Sequence, residues 1–209
     1  MDLYLITPPQ ATPDELTLVR HFLERGLHRL HIRKPSYSEA DFRQYIMSIS
    51  PAFHANLVLH SAFGLASEFP SIGIHLRSSD RQNAALVQAL QQTGPASLSA
   101  SFHAWEEIIE QGAPYDYVFI SPVFDSISKQ GYRAAIDLAG NGRLKQWGAR
   151  HKKKLPRIVA LGGVNAHTLP AVREHGFDGA AILGAVWESA NPGAAFDAII
   201  QANDNPGGS

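Results

Sequence analysis

Two small-residue pairs in the C-terminal part of the chain have the form of a phosphate-binding site. Gly162 and Gly163 follow one apolar strand-like run, and Leu183, Gly184 and Ala185 close the next one. Backbone amides can donate to phosphate oxygens where no Cβ blocks their approach, and a following helix N-terminus adds a favourable dipole. The alternative is that these glycines only end buried strands. Because two such ends occur in succession, we predict that these residues, Leu183 included, bind a phosphorylated substrate.

A second group of chemically useful residues is His31-Ile32-Arg33. Residues two apart in a strand share a face, so the side chains of His31 and Arg33 are expected to project together. A guanidinium can donate two hydrogen bonds to one phosphate or carboxylate. We therefore predict substrate binding by His31 and anion binding by Arg33. A structural arginine paired with an acidic residue is the alternative.

Histidines recur at the ends of the strand-like runs, where His60, His75 and His103 join His31. Each can satisfy a local hydrogen bond or act on substrate, and we assign substrate binding to His60 and catalysis to His103. The sequence has neither His-x-His on a strand nor His-Glu-x-x-His on a helix, and acidic residues are scarce at these ends. A histidine-ligated transition metal is therefore not predicted.

A long polar loop follows the sixth strand-like run. It spans residues 121–131 and carries the hydroxyls of Ser121, Ser126 and Ser128, together with Lys129. A loop with such donors over a ligand site is typical of a lid that closes on phosphate. An ordinary solvated loop is the alternative.

These residues need a scaffold that brings several strand ends together. Eight β-rich runs alternate with helical patterns, at residues 3–7, 30–33, 57–60, 74–76, 97–101, 117–120, 158–161 and 180–183. Eight alternating units predict parallel strands closed into a single (β/α)8 barrel. A doubly wound open sheet is disfavoured because no Gly-x-Gly-x-x-Gly follows a strand. We expect one domain over residues 1–202 and a flexible tail over residues 203–209.

Composition narrows the classes of function. The 209 residues include 18% charged residues and no cysteine, and the formal net charge is −1. This balance gives no basic field for nucleic acid, and the basic run at residues 150–154 is expected to be a solvated helix end. Disulfides and thiolate chemistry are excluded. We find no secretion signal and no apolar run near the roughly 20 residues of a membrane span, so we expect a cytoplasmic protein without a membrane partner.

Taken together, the markers resemble the thiamin phosphate synthase family, including its TenI-type thiazole tautomerase branch. The resemblance extends from the first strand to the last. It rests on the order and spacing of His31-Ile32-Arg33, Gly73-Ile74-His75-Leu76, Ser101 with His103, Ser121-Pro122-Val123-Phe124 through Lys129, Ala160-Leu161-Gly162-Gly163-Val164, and Gly176-Phe177-Asp178-Gly179.

The resemblance implies a transferase of thiamin biosynthesis. Family synthases join a pyrimidine methyl diphosphate to a thiazole phosphate: the diphosphate, held with Mg²⁺, leaves first, and the thiazole nitrogen captures the resulting cation. Small phosphorylated pyrimidine and thiazole compounds are thus the implied partners. By position, the family's contacts to the diphosphate fall on Arg33 and Lys129, and its contact to the metal falls on Asp80. Its contact to the pyrimidine falls on Ser101. Its contacts to the thiazole phosphate fall on Ser126, Ser128, Gly162 and Gly163.

Several family positions differ in this chain, and two of them bear on the diphosphate and the metal. Pro35 stands where the family has a second cation, with Lys34 adjacent, and Ser61 stands where it has an acidic Mg²⁺ ligand. A serine hydroxyl does not replace a carboxylate as an anionic ligand for a hard cation. Asp80 is left as the one matching metal ligand, so the Mg²⁺ site is expected to be thinned.

These differences leave other functions open. One is a TenI-like tautomerase acting on a thiazole phosphate carboxylate. Its acid–base histidine falls on Ser121, so His103, His60 or His31 would have to move the proton. Another is a non-catalytic barrel that binds a thiamin precursor as a regulator or carrier. An unrelated phosphate-binding barrel, such as an isomerase of the tryptophan pathway, and a homo-oligomer are also compatible with the sequence.

Overall fold

A computed structural model describes residues 1–125 and 134–205. Eight parallel strands close into a barrel in chain order, and the first strand pairs with the last. They are β1 (Asp2–Ile6), β2 (Arg29–Ile32), β3 (Leu57–Leu59), β4 (Gly73–Leu76), β5 (Leu98–Phe102), β6 (Tyr117–Ile120), β7 (Arg157–Leu161) and β8 (Gly179–Ile182). The predicted (β/α)8 fold is confirmed.

Helices surround the barrel. They are α1 (Glu15–Glu24), α2 (Glu39–Met47), α3 (Leu65–Glu68), α4 (Ser78–Arg81), α5 (Ala84–Thr93), α6 (Trp105–Gln111), α7 (Gly140–His151), α8 (Leu169–Glu174), α9 (Gly184–Trp187) and α10 (Pro192–Asp204), and a 3₁₀ helix spans Pro51–Asn56. Within the described residues, no helix has both the length and the apolar character needed to cross a lipid bilayer.

Two helical segments differ from the sequence pattern. The sequence pattern over residues 80–92 predicts one helix, but the Asn83 side chain accepts a hydrogen bond from the Leu86 amide and starts a second helix there. The last helix continues to Asp204 instead of ending at Ala202. Asn203 within it exchanges hydrogen bonds with Met1, with Nδ2 donating to the Met1 carbonyl at 3.0 Å, and this contact holds the helix end against β1.

The strands separate two kinds of interior. Side chains that point outward, such as Leu5, Leu30 and Ile74, pack against the helices in the main hydrophobic core. Inside the barrel, β1 and β6 to β8 contribute a mostly aromatic and aliphatic cluster of Tyr4, Ile6, Tyr117, Phe119, Val159 and Ala181. Polar side chains on and just after β2 to β5 fill the other half, and they lie directly below the open end of the barrel.

Candidate functional site

A pocket of about 510 Å³ opens at the carboxyl ends of the strands. This is the end at which (β/α)8 barrels place their ligand sites. Eight of the residues singled out in the sequence line it: Arg33, His60, Ser101, Ser121, Gly162, Gly163, Leu183 and Gly184. The barrel thus brings together groups that are far apart in the chain.

One side of the pocket is made of backbone. Gly162 and Gly163 follow β7 with φ values of +100° and +64°, a region that L side chains rarely adopt. A Cβ on Gly163 would lie 2.5 Å from the Asp125 carbonyl oxygen, and one on Gly162 would lie 2.9 Å from the Pro122 Cα. The two glycines are therefore required by the close approach of the loop after β6, and this packing places their backbone in the pocket wall.

The end of β8 completes this backbone side. Leu183 and Gly184 line the pocket, and Gly184 begins α9, whose first amides have no acceptor within the helix. Because α9 has only one turn, any anion here would be bound by those amides rather than by a helix dipole. Trp187 closes the turn: its indole N–H donates to the Ile6 carbonyl at 2.8 Å, and its ring packs on Phe22.

The other side of the pocket is made of side chains. Arg33, His60 and Arg77 follow β2, β3 and β4 in turn and line the same cavity. Among the residues that the structure describes, the Arg33 guanidinium has no carboxylate partner, so the alternative of a structural ion pair finds no support there. This arrangement places one guanidinium group on each side of the His60 imidazole.

Three histidine rings form a cluster inside the barrel, with His60 stacked on His75 and His31 edge-on to both. His31 and His75 are fully buried, and His60 is 6% exposed. His31 Nδ1 lies 3.0 Å from His60 Nε2, and His31 Nε2 lies 3.0 Å from the Tyr117 hydroxyl. We assign the hydrogen-bond direction in which the Tyr117 hydroxyl donates to His31 Nε2 and His31 Nδ1 donates to His60 Nε2. We assign the remaining His60 proton to Nδ1, which has no partner among the described residues.

Burial keeps these imidazoles neutral. Burial first, and the positive charges of Arg33 and Arg77 second, lower the pKa of His60 to about 3. The pKa values of His31 and His75 also lie well below their usual range, through burial first and neighbouring histidines second. At pH 7, His60 therefore presents a neutral N–H donor to the pocket.

A second hydrogen-bonded chain ends at Ser101. His75 Nδ1 lies 2.9 Å from Ser99 Oγ, and His75 Nε2 lies 2.8 Å from Ser101 Oγ. Ser99 Oγ also donates to the Ile74 carbonyl at 3.1 Å. If Ser99 uses its proton there, His75 donates from Nδ1 and Ser101 donates to Nε2. Ser101 then presents acceptor lone pairs to the pocket, as suits an amino group on a bound ring.

The spacing argument against a histidine metal site needs correction. Ring nitrogens of His31, His60 and His75 lie within 4.8 Å of one another although the residues belong to three separate strands. In a barrel, potential ligands need not share one element, so the lack of a His-x-His motif was uninformative. In this structure five of the six ring nitrogens have hydrogen-bond partners: His31 and His60 bond to each other, His31 bonds to Tyr117, and His75 bonds to the β5 serines.

Several predicted residues lie elsewhere. His31 meets the pocket only through His60, so direct substrate binding by His31 is not what the geometry favours. His103 is exposed, and its Nδ1 lies 2.9 Å from the Ser121 carbonyl, outside the pocket lining. Ser126, Ser128 and Lys129 lie outside the described residues.

The site implied for Mg²⁺ does not fit the described residues. Both carboxylate oxygens of Asp80 accept hydrogen bonds from Arg77, with Nε–Oδ2 at 2.8 Å and Nη2–Oδ1 at 3.1 Å. Ser61 supplies no charge. Lys34 does not replace the missing cation, because its ammonium is buried 2.7 Å from Glu15. Mg²⁺ in enzymes is usually held by one or two free carboxylates, which this end of β3 and β4 does not offer.

The structure adds pocket residues that the sequence did not single out. Arg77 has a recognisable signal, because His75-Leu76-Arg77 repeats the His-x-Arg spacing of His31-Ile32-Arg33. Glu188 and Ser189 also line the pocket, directly after α9. No sequence signal marks them, since a one-turn helix has too few residues to show a periodicity.

The fold and the pocket, with backbone on one side and cationic side chains on the other, place the protein among (β/α)8 barrels that bind phosphorylated ligands. The sequence profile of the thiamine monophosphate synthase family matches residues 3–186. The chain belongs to this family. The thiamine-phosphate synthase of Desulfitobacterium hafniense (strain Y51) is 30% identical over 188 residues, which are 86% of each chain.

Solved structures agree. A thiamine phosphate pyrophosphorylase from Bacteroides thetaiotaomicron is 26% identical, with a TM-score of 0.76 and 98% of each chain covered. One from Pyrococcus furiosus shares the fold, with a TM-score of 0.78 and 21% identity over 99% of this chain and 97% of that one. The resemblance stated from the sequence is thus confirmed, and an unrelated phosphate-binding barrel is no longer needed as an alternative.

Proposed function

We propose that the chain is a transferase that joins a pyrimidine methyl diphosphate to a thiazole phosphate. The two-sided pocket carries this proposal, because two separately phosphorylated substrates need two anion-binding regions in one cavity. The backbone side at Gly162, Gly163 and Gly184 suits the monophosphate. The side with Arg33 suits the diphosphate. Apolar groups such as Phe119 and Leu161 lie in the same lining and suit the two rings.

The proposed step breaks one bond and forms one. The C–O bond between the pyrimidine methylene and the diphosphate breaks, and its electron pair leaves with the diphosphate oxygen. The thiazole nitrogen then gives its lone pair to the methylene carbon. The protein's part is to stabilise the charge that develops on the leaving group, which fixed cationic donors such as Arg33 do well. Lys129, Ser126 and Ser128 enter this proposal through the family resemblance.

The protonation states support a transferase over an isomerase. A tautomerase needs a group that takes up and releases a proton near neutral pH. The pKa of His60 is about 3, and that of His31 lies well below its usual range, so neither suits the task. His103 is directed at the Ser121 carbonyl outside the pocket lining. The coupling step proposed above needs no such histidine.

The test is to supply both substrates and measure thiamin phosphate formation by chromatography. We expect turnover, and we expect Arg33→Ala to lower kcat/KM about 100-fold through loss of charge-assisted hydrogen bonds. Arg20→Gln, which removes an exposed arginine on α1, is the matched control. Proton exchange on a thiazole phosphate carboxylate without coupling would instead establish the isomerase, and tight binding with neither reaction would establish a carrier.

A further inference from the structure

The His-x-Arg spacing occurs twice, on β2 and on β4, on either side of the strand that ends at His60. In both copies the histidine is fully buried inside the barrel, and the arginine lies two residues further on, in the pocket lining. Arg33 and Arg77 are therefore placed alike on the two flanks of His60. Both guanidinium charges act on the His60 ring, which agrees with their closeness to it.

Arg77 is held in position by Asp80. The carboxylate accepts from Nε and Nη2 of Arg77, and also from its backbone amide at 3.1 Å. Burial raises the pKa of Asp80, but the hydrogen bonds from Arg77 outweigh it and the net shift is downward, so Asp80 is ionised. A guanidinium has five N–H donors, and this fork uses two of them. The Arg77 side chain is 57% exposed and lines the pocket, and the fork leaves three of its donors unused by Asp80.

The same contacts make Asp80 a poor metal ligand. A divalent cation bound to either oxygen would have to displace a guanidinium that already neutralises the carboxylate. Glu188, an exposed carboxylate in the pocket lining, follows β8, which lies across the closed barrel from β4. It is therefore badly placed to share a metal ion with Asp80.

We propose that this chain binds the diphosphate of its pyrimidine substrate without a divalent cation, through Arg33 and Arg77 with the His60 N–H between them. Asp80 acts as a positioning residue that orients Arg77. The inference rests on the proposed function, because it concerns the diphosphate side of that pocket. Arg33, which has no carboxylate partner among the described residues, supplies the net positive charge, and Arg77, whose charge Asp80 offsets, adds N–H donors whose planar geometry matches phosphate oxygens.

The experiment is calorimetric titration of the full chain with inorganic pyrophosphate, in EDTA and then in MgCl₂. We expect the dissociation constant in EDTA to lie within about threefold of that in Mg²⁺, and Mg²⁺ alone to give no saturable binding. Pyrophosphate binding that disappears in EDTA, or saturable Mg²⁺ binding that Asp80→Asn removes, would overturn the inference.

Variants separate a binding role from a structural one. Arg77→Gln should weaken pyrophosphate binding in EDTA about tenfold or more, and Arg77→Lys, which keeps the charge and loses the fork, should fall in between. Asp80→Glu, which keeps the negative charge and displaces the fork, should weaken it about threefold, because Arg77 is no longer held in the same orientation. Arg20→Gln, at an exposed arginine on α1, is the control, and thermal melts of all variants check folding. An Arg77→Gln protein that is folded and binds pyrophosphate normally contradicts the inference.

A second ligand distinguishes this inference from the proposed function. Thiazole phosphate is titrated under the same two conditions as a probe of the backbone side. If thiazole phosphate binds and pyrophosphate binds only with Mg²⁺, the metal-free inference fails and the proposed transferase stands. If neither compound binds under either condition, the proposed function fails as well.

Discussion

The two sides of the pocket are made of different parts of the chain. The side at β7 and β8 presents backbone, and its shape depends on glycines whose φ values and neighbours admit no side chain. The side at β2 to β5 presents long side chains supported by buried chains of hydrogen bonds. The first side therefore depends on chain geometry, while the second depends on residue identity. This difference shows how the side-chain side can change its chemistry while the barrel stays the same. An example is Arg77, which is paired with Asp80, the carboxylate that was expected to hold a metal.

The largest effect is expected from acid, which should act on the side-chain half. The folded-state pKa values of His31, His60 and His75 lie below their usual value, so the unfolded chain binds more protons below pH 6.5. Stability is thus fully present above pH 6.5 and falls as the pH decreases. Each neutral histidine contributes a slope of about 1.4 kcal/mol per pH unit, and the three together about 4.

Urea unfolding at pH 7.5, 6 and 5 measures this slope. His75→Gln should reduce the slope by about the share of one histidine, whereas His167→Gln, at an exposed position, should leave it unchanged. If wild type and His75→Gln lose stability equally between pH 7.5 and 5, His75 does not contribute to the loss.

The next effect tests the backbone side. Gly163→Ala would force a side chain into a left-handed conformation and against the Asp125 carbonyl. We expect a loss of about 2–4 kcal/mol in the free energy of unfolding, measured in urea, and weaker binding of thiazole phosphate. Gly64→Ala is the matched control, because a Cβ there meets no atom within 4 Å. Equal stability of the two variants would show that the glycine geometry is not required.

A smaller effect separates charge from shape on the arginine side. Arg33→Lys keeps the positive charge but loses the planar fork, so kcat/KM for coupling should fall about tenfold, less than for Arg33→Ala. Steady-state kinetics with both substrates provide the comparison. A lysine variant as impaired as the alanine variant would mean that bidentate geometry, not charge, determines the effect.

The smallest effect is expected at Ser101. Ser101→Ala removes the partner of His75 Nε2, and this should lower the free energy of unfolding by about 1 kcal/mol. It should also raise the KM for the pyrimidine substrate a few-fold more than Ser36→Ala, a change at an exposed serine. An unchanged KM would place Ser101 in the support of His75 alone.

Hydrophobic alternation was enough to predict the barrel, because all eight strands lie within one residue of the sequence pattern. The positions of Gly162 and Gly163 and the spacing of His31 and Arg33 each predicted one side of the pocket. Both signals depend on local chain geometry, which a sequence shows. The cluster of His31, His60 and His75 was not predictable, since it depends on the register between β2, β3 and β4. Asp80 was assigned to metal from the family resemblance, and its ion pair with Arg77 is visible only in the structure.

The position of Trp187 gives the protein an optical signal of its own. The indole lies at the end of the single turn that begins at Gly184. Its N–H donates a hydrogen bond to the carbonyl of Ile6, a residue that lines the pocket. An anion bound at the Gly184 amides changes the electric field across this ring, and indole emission responds to such fields. The chain has two other tryptophans, Trp105 and Trp147. With both replaced by phenylalanine, the fluorescence of one residue would report occupancy of the backbone side separately from events beside Arg33.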